Sequence, residues 1–396
     1  MENSDRRRCD TSNQAGTRGE REYGEDMITL RDKFHGCIAA SWIGSAMGAA
    51  VEGWSPERIR ETYGTLDRLL PYKHYTSITD WQRPPGTTED GIERQKMIST
   101  AIIEKQDRIL AHDLLRVWLR DLDPAKSVYK QEGFDRSLLE MARAGVPPVE
   151  LGRLWPWFNQ ISVARASHPL GLINAGDPEG AADDAFEVGK VYARDFAFAL
   201  RWAALYDAAI AEACKPQATV ESVIDTARRF VHYREEAGSL YTHYDTTERE
   251  LNRALDIAQR CDTIDQMREE FYQYYEGGRF FVYSMSEASE VVPKGLALFV
   301  KTRGKPRQAI VAAVNFGRDT DCLAAIAGGL AGALSGASEL PQEWIAQVNE
   351  ATRKDPYTND QRTIEETADG LFAAYLARRR RLEAQLQLMG AEGYLS

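Results

Sequence analysis

Two aspartates, Asp319 and Asp321, stand in "NFGRDTDCLAAIAGGLAGALSG", just ahead of a run built of Ala, Gly, Ile and Leu. A helix should begin there, and an aspartate at a helix start is an ordinary cap, favoured by free backbone amides and the helix dipole. One cap needs one side-chain acceptor, so the second carboxylate asks for another reason. Two carboxylates held close repel unless a cation sits between them, and hard divalent cations take oxygen ligands. A second acidic cluster lies far upstream in "GTTEDGIERQKM": Thr88, Glu89 and Asp90 follow a Pro-Pro-Gly turn and lead into a helical pattern. Capping by Thr88 or Asp90 is the plain alternative there. Glu52, closing "FHGCIAASWIGSAMGAAVEG", is a third acidic terminus.

The elements that must position these groups carry their own signal. Gly36, Ala40, Gly44 and Gly48 fall four apart, with Glu52 continuing the step, and Ala324, Gly328, Gly332 and Gly336 repeat the pattern. Residues four apart are neighbours on a helix surface. Each glycine there costs up to ~1 kcal/mol of helix propensity, a cost tolerated where two backbones must approach closely. The stripes therefore predict two tightly packed helices whose acidic ends converge, forming an all-oxygen pocket for one or two Mg²⁺ or Mn²⁺ ions. Elsewhere "LLRVWLRDL", "DFAFALRWAALYDAAIAEA", "VESVIDTARRFVHY" and "TADGLFAAYLARRRRLEAQL" carry apolar residues at three- and four-residue steps. Turns such as "QRPPGT", "NAGDPEG" and "TRGKP" punctuate them, and strand-like alternation is scarce. The expected fold class is all-α, a compact helical bundle. One domain is expected over residues 26–396, preceded by a polar, Arg- and Glu-rich tail at residues 1–25 that reads as disordered.

At this point the residues resemble the ADP-ribosylglycohydrolase family, from about Phe34 to Trp344. "GSAMGAAVEG" is similar to the family's early G-D-A-x-G helix, which ends in a glutamate, and "TED" to its T-D-D metal motif. "HPLGLINAGDPEGAADDAF" resembles its central P-I-G and N-P-G-D-P-E segment. "NFGRDTDC" with the helix that follows resembles its N-x-G-G-D-T-D-T/C motif. The resemblance implies an all-α bundle around a binuclear Mg²⁺ or Mn²⁺ centre, with Thr88, Glu89, Asp90, Asp319 and Asp321 as metal ligands. It implies that Asn315 and Gly317 line the site, that His168 and Gly171 lie toward substrate, and that Glu52 closes over metals or substrate; for His168 taken alone, a hydrogen-bonded structural histidine is the plainer reading. Five positions depart from the pattern. Ser45 replaces the Asp of G-D-A, Glu89 replaces an Asp, Gly91 and Arg318 replace a Thr and a Gly, and Ala193 falls where a His is common. Arg318 puts a fixed cation beside the expected metals, where it would offset a missing ion or hold a substrate phosphate or carboxylate; the plain alternative is a surface arginine paired with a nearby acid.

The chemistry that follows is hydrolysis of a ribosyl N-glycosidic bond. Such a reaction must hold the ribose, deliver water to C1 and release the nitrogen through an oxocarbenium-like transition state. A divalent cation would hold the diol and orient water, and Glu89 or Glu52, with Asp90 beside them, would act as base. The substrate is expected to be an ADP-ribosyl conjugate, or a small NAD-derived nucleotide or nucleoside metabolite of a biosynthetic pathway. The alternative is a non-catalytic protein that binds ADP-ribose or a nucleotide through a degenerate metal site. Ser45, Gly91 and Ala193 lean that way, while Asp90, Asp319 and Asp321 lean against it. Trp155, Trp157 and Phe158 offer surfaces for stacking on a base, though core packing is the plainer reading. Asp177 and Glu179 read as caps of the helix after them, and Cys322 as a small buried residue beside the site.

The bulk numbers set the frame. The chain has 396 residues, 43% of them hydrophobic, and a net charge of −11, which gives no global attraction to nucleic acid or an anionic membrane. The basic runs Arg6–Arg8 and Arg378–Arg381 read as solvated faces. Five cysteines show no paired spacing, as expected in a reducing compartment. No apolar run approaches the ~20 residues of a membrane span, and the charged N-terminus does not read as a signal peptide. A cytoplasmic protein is the expectation.

Overall fold

A computed structural model describes residues 28–74, 79–155, 159–194, 198–234, 246–275 and 285–390. The N-terminal tail, Trp157 and Phe158 lie outside the described residues. Among those residues the fold is all-helical with no strand. Two isolated antiparallel bridges, Tyr72 with Arg83 and Gln160 with Glu287, tie irregular segments together.

The centre of the molecule is a pair of helices, Leu30–Gly48 and Thr320–Ser335. They run antiparallel with their small-residue stripes in contact. A Cβ built on Gly332 would strike the Gly36 carbonyl oxygen. One on Gly44 would lie 2.5 Å from Ala324 O, and one on Gly48 2.5 Å from the Asp321 Cα. Both helices are buried around nearly their whole circumference, as expected where helices pack on every side. Ala288–Lys301, Pro306–Val314, Phe198–Ala213 and Ile364–Met389 pack around them.

This geometry brings the C-terminal end of the first helix to the N-terminal end of the second. Thr320 Oγ1 donates to Gly48 O at 2.8 Å. Just beyond, Gly53 N donates to Arg318 O at 2.8 Å and Arg318 N to Trp54 O at 3.0 Å. Gly317 turns the chain at φ +84°, and a side chain there would meet Pro56 and Trp54. A third helix, Asp90–Lys105, docks on the first through Gln95, which accepts from Trp42 Nε1 at 2.7 Å and donates to Ser41 Oγ at 3.1 Å. Behind its start, Lys130 Nζ donates to the Thr88 carbonyl and pairs with Asp355 at 2.8 Å, fixing the Thr88–Asp90 backbone from inside. The long C-terminal helix opens on a Thr363–Glu366 capping box. Its basic run is partly engaged: Arg378 donates to Ile173 O at 3.0 Å and Arg381 pairs with Asp107 at 2.8 Å. No described helix is long and apolar enough to cross a membrane.

The close crossing yields a test by urea denaturation. Gly332→Ala should cost at least about 1–3 kcal/mol, the usual penalty of overpacking, because its Cβ has only the opposing backbone to displace. Gly133→Ala, whose Cβ would meet nothing nearer than 3.8 Å, should be neutral or slightly stabilising.

Candidate metal centre and active site

Glu52, Asp90 and Asp321 line one small cavity, so the three acidic helix ends converge. Its other walls are His74, Gly91, Arg94, Glu132, Arg165, Cys322, and the Gln160–Ser162 and Ser286 segments that the second bridge joins.

The carboxylates are held in three different ways. Glu89 is the N-cap of its helix: its Oε2 accepts from Gly91 N at 3.0 Å. Its Oε1 accepts from Ser45 Oγ at 3.0 Å and from the Arg165 guanidinium. Asp90 pairs with Arg94 at 2.6 Å, and Arg94 makes a bidentate pair with buried Asp135 at 2.9 and 2.8 Å. Asp319 stands at the N-cap position of the Thr320 helix yet makes no capping hydrogen bond. By distance and angle, both its oxygens and Asp321 Oδ1 are buried without a hydrogen-bond partner among the described residues, although Asp321, Cys322 and Ser286 lie near enough to lower the Asp319 carboxyl against its burial. Asp321 Oδ2 meets Arg165 Nη2 at 3.3 Å and the Cys322 thiol at 3.7 Å. Burial of unpaired carboxylates is costly, so the Asp319–Asp321 pair has the character of a cation site. Metal-ligating atoms of Asp319, Asp321 and Cys322 lie within 4.8 Å of one another, as do those of His74, Glu89 and Asp90.

The electrostatics agree. Burial, then the charges of Asp321, Asp319, Glu89 and Asp90, push the Glu52 carboxyl well above the usual range. Burial and then Asp319 and Glu89 do the same to Asp321, against the pull of Arg165. Asp319 and Glu89 are also raised, chiefly by burial. His74, 3.9 Å from Glu52, is depressed to about 3 by burial and by Arg83. The cluster holds more negative charge than its two arginines offset.

Other residues singled out in the sequence sit elsewhere. Arg318, in the left-handed region at φ +63°, forms a bidentate pair with Glu290 at 2.7 and 2.9 Å. Glu290 is also bound by buried Lys294. Asn315 brackets the loop at Leu66, accepting from its N–H and donating to its carbonyl, both at 2.8 Å. His168 is wholly buried, accepts from Gln95 at 3.1 Å and donates to Ala325 O at 3.2 Å. Burial depresses it to about 3, so it stays neutral. Gly171 packs on Ile210. None of Asn315, Gly317, Arg318, His168 and Gly171 lines the cavity. Ala193 is buried against Gly152, and Trp155 packs on Phe134 at 4.7 Å. Asp177 accepts from Gly180 N at 3.0 Å, a helix cap. Sequence reasoning passed over Arg165, Arg94, Glu132 and His74. Only the altered residues Ser45, Glu89 and Gly91, all of which touch Arg165, carried a sign of it.

Comparisons with known proteins fit this architecture. The family model described as ADP-ribosylglycohydrolase matches residues 26–381. An uncharacterised protein of Escherichia coli (strain K12), YegU, is 25% identical over 335 residues, covering 82% of this chain and 94% of its own. A solved structure described as an ADP-ribosylglycohydrolase-related protein complex superposes with a TM-score of 0.59 at 18% identity, over 88% of this chain and 98% of that one.

The contrast between the carboxylates can be measured without substrate. In metal-free protein, Asp319→Asn should leave stability unchanged or raised, because it removes a buried charge that nothing pairs, while Glu89→Gln should cost about 3–5 kcal/mol by stranding Arg165. Asp319→Asn should also abolish the rise in Tm that Mn²⁺ gives the unaltered protein. Equal destabilisation by both changes would contradict this reading of Asp319.

Proposed function

The chain belongs to the ADP-ribosylglycohydrolase family, and from that premise we propose that its cavity hydrolyses a ribosyl N-glycosidic bond with the help of a divalent cation. The observation that carries the reading is the set of buried, unpartnered oxygens on Asp319 and Asp321, next to a cavity that Glu52 also lines. Asp319 and Asp321 would hold the ion, Mg²⁺ or Mn²⁺ by the chemistry of oxygen donors. When bound, it would supply Lewis acidity toward the ribose oxygens and the attacking water.

The protein's own groups divide the remaining work. Glu89 has both oxygens engaged, whereas the Glu52 carboxylate has only the 3.9 Å contact to His74 among the described residues. Once a bound cation offsets the neighbouring charges that raise it, Glu52 would be the general base: it takes a proton from water as the water oxygen bonds to C1. The C1–N bond breaks, its electron pair leaves with nitrogen, nitrogen gains a proton from solvent, and Glu52 returns its proton to solvent. Asp90, paired with Arg94, lines the same cavity and stabilises positive charge at the sugar. The substrate class we favour is an ADP-ribosyl conjugate or a small NAD-derived nucleotide. One observation favours the second reading, a binding protein without catalysis: Glu89 and Asp90, expected as ligands, are both engaged by arginines.

Release of ADP-ribose or ribose phosphate from ADP-ribosyl-arginine, NAD and simple nucleotides, with and without Mg²⁺, separates the two. We expect metal-dependent release that Asp321→Asn abolishes. Glu52→Gln should lower kcat about 10²–10⁴-fold, the usual contribution of a general base, with Mn²⁺ affinity retained. Full activity and full metal content in Asp321→Asn would refute the scheme, and ligand binding with no turnover of any of these compounds would favour the binding protein.

A further inference from the structure

Two triads of metal-ligating side chains meet at the cavity: His74, Glu89 and Asp90, and Asp319, Asp321 and Cys322. Arg165 joins them. Its Nη2 donates to Glu89 Oε1 and lies 3.3 Å from Asp321 Oδ2, one carboxylate from each triad. It also donates to Ser45 Oγ at 3.0 Å. The side chain is fully buried, which is unusual for arginine unless it is paired.

The triads differ in what they have left to give. In the first, both oxygens of Glu89 are engaged and Asp90 is tied to Arg94. An ion there would have to displace one guanidinium and approach another. In the second, three carboxylate oxygens are buried and unpartnered. The surroundings of Arg165 are fitted to it. A Cβ with any substituent at Gly91 would intrude, because even the bare Cβ would lie 2.5 Å from Nη1 and 2.6 Å from Cγ. Ser45 offers a hydroxyl that accepts from Arg165 and donates to Glu89, where a carboxylate would add one more negative group. The arginine backbone is anchored as well: its N–H donates to Ile161 O at 2.9 Å, and Ile161 N to Ser286 O at 2.8 Å.

We propose that Arg165 is a permanent cation standing in place of a second divalent ion, so that the site binds one ion only, at Asp319 and Asp321. The inference rests on the metal-assisted reading above and deepens it. A guanidinium supplies charge and fixed donors but, with a pKa above 12, neither loses a proton nor acidifies water. It therefore anchors rather than activates. Its Nε and Nη1 groups have no partner among the described residues.

The test is a count of ions. Metal-stripped full-length protein is titrated with Mn²⁺, bound metal is measured, and the electron paramagnetic resonance spectrum is recorded. We expect one equivalent with the spectrum of an isolated ion in the unaltered protein and in Arg165→Lys. Arg165→Ala should take up two equivalents with a spin-coupled spectrum. Two ions, or none, in the unaltered protein would overturn the proposal, as would a folded Arg165→Ala that still binds one. If Arg165→Ala fails to fold, the counts for the unaltered protein and Arg165→Lys decide. The release assay keeps the two claims apart: two ions with activity sinks this inference alone, and one ion without activity sinks the hydrolase reading alone.

Discussion

The close approach of two helix backbones is the constraint on which the rest depends. Glycine and alanine remove the side chains that normally hold helix axes 8–10 Å apart, and Gly36, Gly44 and Gly48 fit directly against the Gly332, Ala324 and Asp321 backbones. Because the pair is antiparallel, the stripe determines which ends meet. The start of the Thr320 helix is set against Gly48, four residues before Glu52, and Asp319 and Asp321 are carried into the interior with it. A larger residue anywhere along the stripe would push the carboxylates apart before it touched the cavity.

Burying that much negative charge must be offset, and the protein does so unevenly. Arg94 and Arg165 pair Asp90, Asp135 and Glu89 with charge-assisted hydrogen bonds. Arg318 and Lys294 share Glu290 on the far side of the Asp319 turn. Asp319 is left out of all of these. Isolated buried carboxylates are destabilising, and this open one, beside Asp321 and Cys322, makes a candidate cation site.

Much of this was legible in the sequence, because it is local. Small residues at four-residue steps mark a helix face, and acidic residues next to a helix start mark a terminus, so both the central pair and its converging ends could be read before the structure. What could not be read depends on contacts across long separations. Arg165 meets Glu89 and Asp321 across 76 and 156 residues, and nothing in "SVARASHPL" distinguishes it from an ordinary helix arginine. Arg318 drew attention by lying next to Asp319 in sequence, yet the left-handed turn at Gly317–Arg318 sends its guanidinium to Glu290. His168 and Asn315 stand in motif positions but spend their hydrogen bonds on the core and on the Leu66 loop. The departures Ser45, Glu89 and Gly91 were visible singly, and only the fold shows that they surround one side chain.

The central claim is that the open oxygens of Asp319 and Asp321 are a cation site and that Glu89 is not part of it. Anomalous diffraction from crystals equilibrated with Mn²⁺ tests it most directly. The account predicts one peak bound by Asp319 and Asp321, with Glu89 still on Arg165. A peak on Glu89 and His74 with Arg165 displaced, or no peak beside Asp319, would contradict it.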